Sequence, residues 1–587
     1  MFRYLSLIIA FLTFPLIAQE PLFSLSPRAT HPKDKTDIQV DALFSMPAPT
    51  GYLPVRVTVM NQRKSDGQIT INAVSNSGSG GDDSRVTSEF TFGSGEGTTS
   101  THDLLVPLTT VLSYGGYGSG STVSVTMNGS FGQNDGSIQS NYADDASAVM
   151  MSEKLHTPNA SILDAELNSS GIRYSSPTFA GRFDPMRMPE DWRAYSGYDA
   201  FLMTDDDWNK VGAGARNAIL QWCRLGGELT VYRLNSSTSY TSLGIDSNGK
   251  EFGYGTIHLE SIAPSLALDA PKLVNRFLKA PALPPQNKSV RNDYSGSWPL
   301  HTSFGAQKFA YGIFIVVLIG FGVLVGPVNL FVFAKSGQRH KLFITTPIIS
   351  LGTSALLILL ILLKDGTGGR GERIALIEVR PDSGENNAYV LQEQISRTGV
   401  LLGGSFELDE SAAITPVPIA QSAWARLTPS NEGGGMRYTA NFEDGKLAVT
   451  GDWFQSRSEQ GQFIRSVIPT RGRIEIKAVG GAPVLLSTFD FPIESLYYVD
   501  RSKGYWLATD LKPGTNTTCT PINESDYKSA IREQASKLGD RNRRTLNTAA
   551  LRPDHYVAIA SEAPAVETFD SIKWINTHTI LTGPTLR

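Results

Sequence analysis

At 587 residues the chain is long enough for about three or four domains. Its net charge of −4 gives no basic excess, so nothing points to nucleic acid. Two cysteines, Cys223 and Cys519, exclude a disulfide scaffold, and no Cys-x-x-Cys pair offers a structural zinc site.

The chain begins Met1-Phe2-Arg3, continues apolar over residues 4–18, and breaks at Gln19-Glu20-Pro21. A positive start, a short apolar run and a small residue before a polar break describe a secretory signal. Cleavage is expected after Ala18. Leu16 at the −3 position is less usual than alanine there, which keeps an uncleaved anchor as the alternative. No cysteine follows the site, so lipid attachment at a new N-terminus is not expected.

Residues 36–150 alternate apolar and polar positions in short runs, as in Val55-Arg56-Val57-Thr58-Val59 and Gln68-Ile69-Thr70-Ile71. Ser121-Thr122-Val123-Ser124-Val125 repeats the pattern. Period-2 runs between Gly/Ser/Asn/Asp clusters predict an antiparallel β-sandwich. The Gly/Ser-rich stretch 75–83 reads as a loop.

The period then changes. Residues 148–151 and 198–203 read as buried strands. Residues 215–225 place Ile219, Leu220 and Trp222 or Cys223 on one helical face, and Gly226-Gly227 stops that helix. Residues 229–232 form the next strand. Strand, helix and strand with short links predict parallel pairing in an α/β layer.

Residues 309–333 and 342–363 carry no charge and are each long enough to cross a bilayer. The link 334–341 holds Lys335, Arg339, His340 and Lys341 and reads as a cytoplasmic turn. Lys364, Arg370 and Arg373 make the far flank basic too, so the export signal decides orientation, with both large regions outside. Gly322 and Gly326, echoed by Ser350 and Ser354, have the spacing that lets helix backbones approach in lipid. That face either packs the hairpin on itself or joins two copies as a homodimer.

Residues 366–587 are again β-rich, with strands expected at 374–379, 472–479, 483–488, 496–499, 555–560 and 576–581. Trp453 and Trp506 are expected in the core. The charged stretch 527–546 reads as an exposed helix without an apolar stripe.

The run Pro189-Glu190-Asp191-Trp192-Arg193-Ala194-Tyr195, the strand after it, and the Leu220-Gln221-Trp222 to Gly226-Gly227 helix end carry a resemblance. So do Gly326-Pro327-Val328-Asn329, Thr346-Pro347 and Gly451-Asp452-Trp453-Phe454 with Ser456-Arg457. In this order they resemble a family of uncharacterised bacterial membrane proteins with a class I glutamine amidotransferase-like domain outside the membrane. The resemblance spans roughly residues 45–580. It implies a multidomain α+β membrane protein. The expected parts are a signal peptide (1–18), a β-sandwich (19–146) and an amidotransferase-like, flavodoxin-type α/β domain (147–290). A first membrane helix (309–333), the turn (334–341), a second helix (342–363) and a β-rich extracytoplasmic domain (366–587) follow.

Amidotransferase chemistry needs a cysteine on a sharp strand-to-helix turn, with a histidine and a carboxylate nearby. Cys223 falls inside the predicted helix and reads as a buried small side chain. Cys519 lies beyond the hairpin. His156 and His258 flank the domain with no nucleophile to serve, and no Gly-x-Ser-x-Gly or His-Glu-x-x-His occurs. No catalytic residue, metal site or cofactor is expected.

Asp205, Asp206 and Asp207 form the best polar candidate for ligand binding. They follow a strand whose carboxyl end is where ligands sit in open α/β sheets. Three carboxylates suit a hard cation, and equally suit the first turn of a helix. The sequence thus predicts a non-catalytic binding or scaffolding protein of the bacterial inner membrane, working with an envelope protein partner. A cell-envelope hydrolase with an unrecognised nucleophile is the alternative.

Overall fold

The protein is described by a computed structural model covering residues 20–25, 36–77, 84–109, 121–143, 145–170, 176–245, 252–290, 298–305, 311–334, 336–381, 386–401, 403–408, 411–417, 419, 437–443, 446–478, 481–561 and 563–586. The expected signal 1–18 lies outside these residues. So does most of the expected 75–83 loop, whose first residues instead extend the strand Gly67–Ser77.

The fold is mixed α+β and multidomain, with five sheets and two long apolar helices among the described residues. Four antiparallel strands make the first sheet, ordered Glu20–Leu25, Thr36–Ala42, Gly51–Asn61 and Thr99–Leu108. Alternation dictates its face: Val55, Val57 and Val59 are fully buried, and Met60 emerges. They share one core with Ile69, Ile71, Val123 and Val125 of a second, seven-stranded sheet.

That second sheet corrects the expected domain limits. Its strands Gly67–Ser77, Ser84–Ser94, Ser121–Gly129 and Asn134–Gln139 come from the early chain. Phe406–Leu408, Arg437–Glu443 and Lys446–Gly451 come from beyond the apolar hairpin. The join is parallel, with Arg437 opposite Arg85, Tyr438 opposite Val86 and Thr439 opposite Thr87. Residues 19–146 and 366–587 therefore do not fold as separate units.

The third sheet is parallel throughout. Its strands are β1 (Val149–Ser152), β2 (Ala180–Phe183), β3 (Ala200–Thr204), β4 (Glu228–Arg233) and β5 (Thr256–Ser261). They lie in the order β2-β1-β3-β4-β5. All five residues of β3 are buried, and its apolar run 200–203 is what a strand covered on both sheet faces requires. The helix Ala213–Arg224 returns the chain to β4, burying Ala215, Ile219 and Trp222. It stops at Gly226, whose φ of 104° a side chain would resist.

A nine-stranded sheet dominates the late chain. Seven of its eight strand pairings are antiparallel; the eighth is parallel, where Ile572–Pro584 inserts beside Gly369–Arg380 near the middle. Trp453 is buried and Trp506 partly buried against its core. The stretch 527–546 departs from expectation. It forms parts of two helices, Glu524–Ala535 and Asp540–Ala549, with Tyr527, Ile531 and Ala535 buried at i, i+4 and i+8. A stripe is present, hidden among many charges.

The apolar helices follow the expected spans. The first is α-helical over Tyr311–Val323 and widens into a π-type helix over Leu324–Phe333, where Pro327 removes a backbone donor. The second runs Leu342–Asp365. Both are long and apolar enough to cross a membrane. Gly322 and Gly326 do not pack the hairpin on itself: a methyl group at either would meet open space. Ser350 is half-buried and Ser354 exposed. The helices are held instead by Asn329, which is fully buried. Its amide donates to Thr346 Oγ1 at 2.9 Å, and Thr345 Oγ1 donates to Asn329 Oδ1 at 2.6 Å.

Candidate functional site

In the parallel sheet the chain runs outward in both directions from β1 and β3, so these neighbours form the topological switch point. The crevice at their carboxyl ends is where an open α/β sheet takes its ligands. The aspartate triplet lies there, immediately after β3.

Each of the three carboxylates has its own partner. Asp207 is buried and closes a capping box: it accepts from Thr204 Oγ1 at 2.8 Å, and Thr204 Oγ1 accepts from the Asp207 amide at 3.2 Å. Asp205 accepts from Thr238 Oγ1 at 2.8 Å and from the amides of Leu234 and Asn235 at 3.1 and 3.3 Å. Burial pushes its carboxyl upward, but these hydrogen bonds together hold it below the ordinary value. Asp206 is exposed and pairs with Lys154 at 2.9 Å. The triplet thus starts a helix and ties down the loop after β4. Its carboxylates do not converge, and no cluster able to hold a metal occurs among the described residues.

Two residues of this site escape the sequence reading. Ser152, the last residue of β1, donates to Asp207 Oδ2 at 2.7 Å and spans the switch point. Lys154 supplies the partner of Asp206. The available signal is position: Ser152 ends β1, the sheet neighbour of the triplet's strand, and Lys154 lies in the helical turn that follows. Ser152 is fully buried and meets a carboxylate directly, without the imidazole that activates a serine nucleophile. His156 lies one turn further on, with its imidazole pushed below the ordinary range by burial. His258 lies within β5. Cys223 sits buried in the helix after β3, and burial pushes its thiol well up, away from the thiolate form. Burial also pushes Cys519 up, to about 11.

The amino ends of the central strands, opposite the switch-point crevice, meet the late chain. Asp199, just before β3, accepts from the amides of Ala148 and Gln286 at 3.0 and 3.1 Å. Arg541 of the late helix pair reaches it at 3.1 Å and also donates to the carbonyls of Gly226 and Pro284. Burial pushes Asp199 upward, opposed by Arg541. Beside it, burial raises Glu228 against the pull of Arg276. These pairs border a cavity of about 110 Å³. Every charge named here has a protein partner, so this end of the sheet acts as a clamp between the α/β layer and the late chain.

A second clamp precedes the hairpin. Trp298 Nε1 donates to Glu393 at 2.7 Å, and the same buried carboxylate accepts from Asn542 at 2.7 Å and from the Gly539 amide. Ser303 donates to Glu372 at 2.9 Å, and Arg397 to the Gly305 carbonyl at 2.6 Å. The segment leading into the first apolar helix is thereby fixed to the sheet that begins just after the second.

No protein-family model matches the chain, and no curated protein matches it. Among solved structures, a Paenibacillus sp. cycloisomaltooligosaccharide glucanotransferase shares 13% identity, covering 35% of this chain and 29% of that one, with a TM-score of 0.17. The sporulation control protein Spo0M of Bacillus subtilis shares 15%, over 17% and 46%, at 0.12. Bacteroides uniformis β-glucuronidase 2 shares 9%, over 35% and 24%, at 0.14. The chain spans less than half the length of each, and likeness at these scores carries no argument about function.

Proposed function

We propose that the protein is a membrane-anchored, extracytoplasmic binding or scaffolding protein of a bacterial cell envelope, without catalytic turnover of its own. One observation carries the anchoring: strands before and after the apolar hairpin pair in a single sheet. Chains that share a sheet share a side of the membrane, so the hairpin enters and returns. With an export signal at residues 1–18, that side is the outside, and the anchor lies in the inner membrane. Strand order β2-β1-β3-β4-β5 is the flavodoxin-type order and supports the amidotransferase-like reading of residues 147–290. Buried Cys223 and self-satisfied Asp205 and Asp207 support a non-catalytic role. A rigid body of this kind presents surfaces to an envelope protein partner.

Protease protection tests the topology. In right-side-out vesicles, added protease should reach sites on both sides of the hairpin. In inverted vesicles it should reach only the link 334–341. Protection of one large region but not the other would sink the reading. The hydrolase alternative rests on the Ser152–Asp207 hydrogen bond at a strand's carboxyl end. It requires ester or amide turnover by the full chain that Ser152→Ala abolishes.

A further inference from the structure

The late chain holds a pocket of about 410 Å³ on the nine-stranded sheet, far from the switch point in the chain. Its floor is aliphatic: Ile377, Val379, Val390 and Leu581 are each at most 5% exposed. Phe489 and Phe491 form a wall, with ring centroids 5.1 Å apart. This volume lies in the range of small-molecule sites, which are typically about 300–1,000 Å³. An apolar hollow of this kind gains by excluding water from a ligand's apolar body.

The rim differs in character. Arg471 and Asp490 both line it and both are exposed. Thr488 Oγ1 donates to the Arg471 carbonyl at 3.4 Å, which ties the two rim segments together. Neither charge joins an ion pair among the described residues. An apolar hollow under one cation and one anion is complementary to a ligand with both charges at one end and an apolar group at the other.

We infer that this pocket binds a small zwitterion with an apolar side group, of the class of aromatic or branched amino acids. The carboxylate meets Arg471, the ammonium meets Asp490, and the side group enters between the phenyl rings and the sheet. The inference is independent of the membrane topology and of the proposed lack of catalysis.

Titration calorimetry on the full chain in lipid nanodiscs tests it with three probes: L-phenylalanine, 3-phenylpropionate without the ammonium, and phenethylamine without the carboxylate. L-Phenylalanine should bind saturably, one per chain, and more tightly than either analogue. Arg471→Ala should weaken L-phenylalanine and 3-phenylpropionate by about twofold to fivefold, the worth of an exposed ion pair, and leave phenethylamine unchanged. Asp490→Ala should do the same to L-phenylalanine and phenethylamine alone. Ala388→Trp should fill the pocket and abolish all binding. Absence of saturable L-phenylalanine binding, or equal binding of the three probes by all variants, overturns the inference. If Ala388→Trp loses its unfolding transition, the two charge variants and the analogues decide.

Discussion

The apolar hairpin and the body it interrupts use the same residue types in opposite ways. In the body, many glycines mark close approach: a methyl on Gly255 would strike the carbonyl oxygens of Gly227 and Cys223, and one on Gly197 the Thr50 carbonyl. In the hairpin, Gly320, Gly322, Gly326 and Gly352 all face open space. Polar groups reverse as well. The body binds distant segments through several buried charges, whereas among the contacts described between the two apolar helices one buried amide and two hydroxyls supply the hydrogen bonds. The body is therefore a lock with many bolts, and the hairpin hangs from it by few.

The largest effect should come from removing a bolt. Arg541→Ala leaves Asp199 buried without its cation, and breaking a buried pair by removing one partner costs about 3 kcal/mol or more. Chemical denaturation of the full chain should show that loss at neutral pH. The pH dependence has a definite sign. Burial already holds the Asp199 carboxyl above its ordinary value, so the folded form keeps its proton more readily than the unfolded form. Stability from this group therefore rises as pH falls through the folded value towards the ordinary carboxyl range. Without Arg541 the rise should begin at higher pH, and Asp199→Asn in the same background should flatten it. An unchanged denaturation midpoint would mean that Arg541 bolts nothing.

Glycine substitutions come next and set the two regions directly against each other. Gly255→Ala forces overpacking and should cost about 1–3 kcal/mol. Gly326→Ala should leave unfolding unchanged. If the glycine face joins two copies in the membrane, Gly326→Ile should instead lower self-association, read by cross-linking in nanodiscs at fixed protein-to-lipid ratio. Equal stability losses at Gly255 and Gly326 would erase the contrast.

Much of this architecture is legible in the sequence, because each parallel strand is a local apolar run and each apolar helix is a local composition. The unbroken burial of Ala200–Thr204 is visible in the letters themselves. The joining of Arg437–Glu443 to Ser84–Ser94 is not, since about 350 residues separate partners that show only ordinary strand patterns. Arg541 gives no sign that it belongs to Asp199, because a buried ion pair is a property of two distant segments meeting. That the aspartate triplet follows a strand is legible in the sequence, but the separate tasks of Asp205, Asp206 and Asp207 depend on Thr238, Lys154 and Ser152. The stripe Tyr527, Ile531 and Ala535 was readable at helical spacing and lay under a surplus of charge.

The smallest effect concerns the hairpin's own clamp. Asn329→Leu removes the hydrogen bonds to Thr345 and Thr346 while keeping the branched side-chain shape. Interhelical hydrogen bonds in lipid average about 0.6 kcal/mol and reach about 1.7. The loss should appear as a small drop in thermal unfolding in nanodiscs. It should also appear as slower disulfide cross-linking between cysteines placed at Val325 and Ile349 on the two helices. If cross-linking slows but Arg541→Ala leaves its rate unchanged, the amide alone registers the helices. If Asn329→Leu has no effect and Trp298→Phe does, the helices are held from outside the bilayer. Trp298 and the Gly369–Arg380 strand would then set their spacing through Glu393 and Glu372, making the hairpin a passenger of the sheet.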